Sequence, residues 1–414
     1  MSPPHDRERA ASASPPTGAS GAAARAPEPA QSPSLPYPTN PQDPSGDASR
    51  VLRGSCHLLF VYDIGQGIDL TRCAKDFSAW TQERRLRHTH HAPDWFQFQP
   101  PPLHVVQDTD SLAVGKWSTR PAVEVMLYDF GAVSVSYELP FAGTLEEWIE
   151  LGCVLFESET LDRDGERRVR DLSTLLGSLV QKPGFASVSE DYALFVFGDL
   201  GEGESEPELL ARHGADLARL LRSERSALSE QERSDALSNR VSFGERDLAI
   251  IDWNGALLFD DEPEDVRSVL EFANVQLLEL RFLDRQLDLA LDRAFETLGR
   301  RDWRHLLTPA SFERDLERVS AMQVDAAILF ERVGNALKLW NDQYLARVYR
   351  QASQRLRLAE WNTSLLRKLE TLEGIYQKIQ DRADARRMEF LEWIIIALIL
   401  VSIVLPFLPW YGGH

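Results

Sequence analysis

The sequence predicts an α+β protein: an N-terminal α+β domain built on hairpins, then long antiparallel helices and one C-terminal transmembrane helix. Three observations predict it. Before residue 260, short apolar runs, several alternating with polar residues, are separated by turn residues, the pattern of strands. Near residue 260 the apolar period changes to 3.6 and holds over much of the remaining chain. Trp393–Trp410, WIIIALILVSIVLPFLPW, then runs 18 residues without a charge. The expected division is a leader over 1–50, an α+β domain over 51–260, a helical or coiled-coil region over 261–388 and a membrane anchor over 389–414.

The leader comes first. Eleven of the 23 prolines lie in residues 1–50, among Ala, Ser and Gly, so the segment cannot bury enough apolar surface to offset chain entropy. It is expected to be disordered, with no apolar run that could serve as a signal peptide. The prolines around Ser34–Pro44 offer an alternative, a segment for a polyproline-binding groove.

Residues 56–62, CHLLFVY, read as a buried strand. Asp63-Ile-Gly-Gln-Gly67 reads as a turn, after which Asp69 caps a helix through Trp80. Residues 84–107 are expected to be mostly loop, with a strand near Leu103–Val106. Val123–Tyr128 and Ala132–Glu138 alternate around Asp129-Phe-Gly131, a hairpin with Gly at its turn. Helices are expected from Thr144 and across Arg168–Val180, with a strand at Tyr192–Phe197. An acidic loop, Glu202–Glu208, leads into a helix ending near Arg222. Leu248–Asp252 and Ala256–Phe259 form the clearest hairpin, because Asn254-Gly255 suits a type I′ turn, whose central residues need positive φ.

Pro263 and the surrounding acids mark a helix start, and Gly299 its end. Between them Val269, Phe272, Val275, Leu277, Leu280, Leu283, Leu287, Leu291 and Phe295 form one apolar face. Thr308-Pro309 starts a second helix, to about Trp340. A third segment runs from Asn341 to the membrane. In it Leu358, Trp361, Leu365, Leu369, Leu372, Tyr376 and Ile379 recur at steps of three and four, a heptad-like seam. Two readings of the seam stand level: a parallel coiled coil that makes an oligomer above the membrane, or packing on the two preceding helices of the same chain.

Trp393–Trp410 spans roughly 27 Å as a helix, close to one hydrocarbon core. Twelve of its 18 residues are Ile, Leu, Val or Phe, favouring insertion by roughly 5 kcal/mol. Its anchor residues are Trp393, Ile394, Ile399, Ile403, Phe407 and Trp410. Arg382, Arg386 and Arg387 precede the run, and no Lys or Arg follows it. The positive-inside rule then keeps the bulk of the chain in the cytoplasm, as a single-pass, tail-anchored protein of a bacterial inner membrane.

Leu270–Glu296, Gln343–Ile379 and Arg386–Ile399, with L-E-G-I-Y at Leu372–Tyr376 and L-E-W-I-I-I at Leu391–Ile396, resemble the Required for Meiotic Nuclear Division / sporulation family, also called domain of unknown function 155. The resemblance takes in the strand pairs at Val123–Glu138 and Leu248–Phe259. It implies a bacterial member with an α+β region, long helices and a C-terminal membrane helix. It carries over no catalytic residues, because no member has an accepted catalytic motif.

The motifs that could carry chemistry are weak. Gly65-Gln-Gly67 lacks the third glycine and the acidic strand end of a dinucleotide site. Asp129-Phe-Gly131 spells a kinase signature without its partner motifs. His88, His90 and His91, with His57 and His104 nearby in sequence, lie among arginines that disfavour a cation. Cys56, Cys73 and Cys153 show no C-x-x-C spacing, and Cys56 and Cys153 read as packing. Asp284, Asp288 and Asp292 interleave with Arg281, Arg285 and Arg293 on a solvated face. Acidic residues number 64 against 45 basic, a formal net charge of −19, which repels a phosphate backbone. The expectation is therefore a scaffold or recruitment factor at the membrane, without cofactor, metal or direct nucleic-acid binding. Its partners would be membrane lipid, an unknown protein and a second copy of itself. The alternatives are a membrane-anchored regulator that binds a small molecule or nucleotide, and an enzyme of unknown class.

Overall fold

The computed structural model describes residues 51–75, 86–88, 100–186, 188–198, 205–244, 247–299, 317, 320–324, 326–327 and 343–404. The chain divides into two units, Met1–Asp47 and Ala48–His414. The leader, Trp80, His90, His91, most of 308–340, Phe407 and Trp410 lie outside the described residues.

The second unit is built on a nine-stranded sheet. Its strands are β1 (Leu52–Asp63), β3 (Leu86–His88), β4 (Leu103–Asp108), β7 (Ala122–Leu127), β8 (Ala132–Gly143), β10 (Glu190–Phe197), β11 (Arg240–Val241), β12 (Leu248–Ile251) and β13 (Gly255–Phe259). The order is β11-β12-β13-β10-β1-β8-β7-β4-β3. Every pairing is antiparallel except β10 with β13. β2 (Gly65–Ile68) pairs with β9 (Val180–Pro183), and β5 (Ala113–Val114) with β6 (Trp117–Ser118), as two small satellites. The expected strands and the hairpin at residues 129–131 are present, and β3 stands where loop was expected.

Both faces of the sheet are covered, so β1 is buried over eight consecutive positions instead of alternating. Leu58, Phe60 and Tyr62 join one apolar cluster with α1 (Leu145–Glu157), α2 (Thr160–Leu176) and α3 (Glu206–Arg222). Leu59 and Val61 join another with α5 (Glu264–Gly299), α6 (Gln343–Arg355) and α7 (Leu358–Val404). The helices after residue 261 thus share a core with the sheet. α4 (Glu230–Ala236) lies between α3 and β11 in the chain.

Local signals explain the helix starts. Thr144 and Glu147 form a reciprocal capping box on α1, and Ser205 with Glu208 does the same on α3. Asp69 accepts from the Arg72 N–H at 3.0 Å and caps a helical stretch at 70–75. The long helix is described through Gly299, and its expected end lies at the limit of the described residues.

Three expectations are corrected. Residues 65–68 are a strand, and its glycines serve close approach. The hairpin tip docks here: Ile64 N–H donates to Gly131 O and Ile68 N–H to Asp129 O. Gly131 has φ +105°, and a Cβ there would lie 1.7 Å from Gly65 O. Neither Asn254 nor Gly255 adopts positive φ. Gly255 is required because a Cβ would approach Ala193 O of parallel β10 to 2.6 Å. The segment from Asn341 onward is two helices, broken where Arg357 takes φ +55°. Of the expected membrane span only Trp393–Val404 fall within the described residues, and among these residues no helix is long and apolar enough to cross a membrane. The uncharged part of α7 within them is Trp393–Val404, roughly 18 Å, and Arg387, Glu389 and Glu392 stand just before it.

The seam packs within the chain. Leu358, Leu365, Leu369, Leu372 and Tyr376 are buried in the cluster that α5 and α6 complete, and Trp361 packs against it half-buried. Ile379 lies on α7 with its side chain outside the described residues.

Candidate functional site

α7 changes character along its length. Among its described side chains Tyr376 is the last that is buried. Trp393 follows 17 positions later, about 25 Å along the axis. From there Trp393, Ile394, Ile395, Ile396, Leu398 and Ile399 are exposed, as are Leu400, Val401 and Ile403. Consecutive residues step about 100° around a helix, so this surface is apolar on every side. Of the expected anchor residues, Trp393, Ile394, Ile399 and Ile403 fall on it. Arg382, Arg386 and Arg387 lie on the intervening stretch of helix, where the backbone alone is described.

A second feature lies at the opposite face of the sheet, between α2 and strands β4, β7 and β8. It is a cleft of about 370 Å³. Val105, Val125 and Val135 stand in one cross-strand row, because their registers align, and form the floor with Leu172 and Leu175 of α2. Asp108, Thr109, Asp110, Arg167 and Asp171 form the rim.

A buried polar network props this cleft open. Tyr137 Oη donates to Asp164 Oδ2 at 2.8 Å. Arg168 donates to the same carboxylate through Nε, to Gln107 Oε1 at 2.8 Å and to Thr109 Oγ1 at 2.7 Å. Arg167 pairs with the other Asp164 oxygen. Burial pushes the Asp164 carboxyl up, but the bonds from Arg168, Tyr137 and Arg167 outweigh it and hold it below the usual range. Arg168 is thereby satisfied at all three nitrogens and fixed against the sheet.

A third cluster joins the layers. Asp252 follows β12 and is fully buried. Arg355, at the end of α6, donates from Nε to Asp252 Oδ1 at 2.6 Å, and Arg222 Nε lies 3.0 Å from Oδ2. Both arginines also reach Asp235 of α4. Burial raises Asp252 above the usual carboxylate range, with the Trp253 N–H and the two arginines opposing it. Asp235, near the surface, is lowered to about 2, chiefly by Arg355. Glu190 of β10 pairs with Arg281 of α5, and Lys368 of α7 reaches both Asp284 and Asp288. The acids of α5 thus pair across helices, where neighbours three or four apart were expected.

The weighed motifs assemble no catalytic centre among the described residues. His57, His88 and His104 sit on three different strands, and no group of three His, Cys, Asp or Glu is placed to hold a metal. Burial lowers His57 to about 3, with Arg267 and Arg120 adding to the effect. Cys56, Cys73 and Cys153 are free and buried. Sequence reading missed Tyr137, Asp164, Arg168, Arg222, Asp235, Asp252 and Arg355. Apart from Asp164 with Arg167 and Arg168, three and four positions apart, their partners lie far along the chain, as much as 120 residues away.

Comparison with known proteins changes the expected relationship. A family described as "Uncharacterized protein MJ0711, N-terminal domain" matches residues 53–265. Uncharacterized protein MJ0711 of Methanocaldococcus jannaschii is 26% identical over 223 residues. That alignment takes in 52% of this chain and 65% of the relative, so the chain covers less than two thirds of the relative's length. No solved structure matches. The Required for Meiotic Nuclear Division relationship is not supported and is corrected. It rested mainly on Leu-, Glu- and Arg-rich helical stretches after residue 270, whose composition many amphipathic helices share, whereas the match falls on the sheet and its first-face helices.

Proposed function

The chain belongs to the family of the MJ0711 N-terminal domain, and from that premise we propose that it is a tethered scaffold, with α7 carrying a folded α+β body on an apolar arm. The exposed apolar surface at Trp393–Ile403 carries this reading. Left in water, such a surface is an aggregation liability, and a bilayer solvates it on all sides at once. In sequence the uncharged run goes on through Trp410, long enough with these residues for one hydrocarbon core. Arg382, Arg386 and Arg387 on the body side of the arm support a cytoplasmic body. The stretch between Tyr376 and Trp393 sets the body about 25 Å from the membrane surface. The buried seam makes α7 rigid with the body, so the arm transmits position as well as attachment. A second copy would have to meet this one through a surface other than the seam.

Vesicle flotation tests the reading. The full chain is mixed with phosphatidylcholine–phosphatidylglycerol vesicles and centrifuged through a density gradient after a high-salt wash. The wild-type chain is expected to float with the lipid. The double variant Ile396→Asp/Leu400→Asp is expected to stay at the bottom with an unchanged melting temperature. Equal flotation of the two, or none by the wild type, would refute the membrane role.

A further inference from the structure

We propose that the cleft between α2 and β4–β7–β8 binds a small organic amine: an apolar body on the aliphatic floor and an ammonium group at the rim. This goes beyond the tether and does not depend on it.

The cleft has the dimensions and the lining of a small-molecule site. At about 370 Å³ it falls in the range of ligand pockets, with an aliphatic floor and a few convergent polar groups. The floor is preformed. Its three valines are held in register by the sheet, and α2 is pinned over them by the Tyr137–Asp164–Arg168 bonds.

Charge decides the ligand's sign. The arginines are the obvious anion receptors, but they are committed. Arg168 gives one bond from each of its three nitrogens, to Asp164, Gln107 and Thr109, and its side chain is only 10% exposed. Arg167 is drawn to the same Asp164. Two arginines and Asp164 together leave one positive charge. Asp110 and Asp171, both exposed, bring two negative charges to the cleft. The balance of −1 favours a cation, and the aliphatic floor demands that the cation carry an apolar group. A carboxylate-bearing ligand of the same shape would meet these two like charges, with Arg167 and Arg168 both drawn to Asp164.

Isothermal titration on the full chain tests this with three probes of one shape: 3-phenylpropylamine, 3-phenylpropanol and 3-phenylpropanoate. The amine is expected to bind at least tenfold more tightly than the acid, with the alcohol between them. Asp110→Asn/Asp171→Asn, at two exposed positions, should weaken the amine about tenfold and leave the alcohol unchanged. Leu172→Trp, which fills the floor, should weaken amine and alcohol together. Circular dichroism and melting temperature establish that each variant folds. Tighter binding of the acid, amine binding indifferent to the aspartate changes, or no heat from any probe at millimolar concentration would each overturn the proposal.

Discussion

The two ends of α7 differ in how their apolar residues are arranged, and they meet opposite fates. Along its first five turns, Leu358, Leu365, Leu369 and Leu372 form a stripe and are buried against α5 and α6 of the same chain. From Trp393 to Ile403, apolar residues occupy every position but Ser402 and are exposed. A stripe needs one partner surface, which a neighbouring helix supplies. A helix apolar all round needs an apolar surround, which no single neighbour supplies. Periodicity and mean hydropathy together therefore separate core from tether on one continuous helix.

The comparison breaks first at the seam. Leu365 and Leu372 are fully buried, so each leucine-to-alanine change is expected to cost about 2–5 kcal/mol through lost transfer energy and a residual cavity. The same chemical change at exposed Leu400 is expected to stay within about 0.5 kcal/mol. Urea unfolding of the full chain followed by circular dichroism measures both. Near-equal costs at Leu365 and Leu400 would mean the seam is not part of the core.

The seam is clamped at its start by charge as well as packing. Asp252→Ala would leave Arg222 and Arg355 beside an empty buried site, an expected loss of about 3–5 kcal/mol. Because Arg355 lies two residues before the Arg357 break, the loss should be accompanied by faster hydrogen exchange in α6. A change under about 1 kcal/mol would show that Asp235 alone holds both arginines.

At the far end the effect is on partition, with folding unchanged. A charge at the centre of an inserted helix costs about 2.5–3.5 kcal/mol, so Leu400→Arg should lower vesicle binding roughly hundredfold. Unfolding midpoints of the variant and the wild type should coincide. A shifted midpoint would mean that the distal turns pack on the body.

Much of this architecture is legible in the sequence, for identifiable reasons. β1, the hairpin at residues 129–131, the Thr144 cap and the long helix from residue 264 are local, set by period, cap or turn chemistry within a dozen residues or so. The strand order is not local, since β10 lies between β1 and β13, 130 and more residues from β1 in sequence and more than 50 from β13. The seam's partner was ambiguous for a physical reason: two chains and two helices of one chain present the same stripe. Asn254-Gly255 misled because glycine's small size, needed against Ala193, looks in sequence like glycine's freedom of φ. The cleft was invisible because Val105, Val125 and Val135 meet only through register, and Arg168 reads as one more surface charge on α2.

The smallest expected effect concerns the body to which the seam is locked. Asp63, at the end of β1, is buried and accepts the Gly65 N–H at 2.9 Å. Burial raises its pKa to about 7 against that bond. Below about 3.8, Asp63 is protonated in the folded and the unfolded chain, and it adds no pH dependence. Between about 3.8 and 7 the unfolded chain releases this proton while the folded chain keeps it. Stability must then fall as pH rises through that window, and level off above it. Glu190, raised to about 7 by burial against Arg281, contributes with the same sign. Asp63→Asn keeps an oxygen for Gly65 and removes the ionisation. In melting temperatures recorded from pH 4 to 8, the stability of the variant relative to wild type should rise, because the other shifted groups, Glu190, Asp252 and His57 among them, contribute to both proteins alike. At pH 8 the variant should be the more stable by about 1–3 kcal/mol, within what a raised pKa of this kind implies. A variant less stable than wild type at pH 8, with its slope unchanged, would mean that Asp63 is ionised in the folded body and stabilised there.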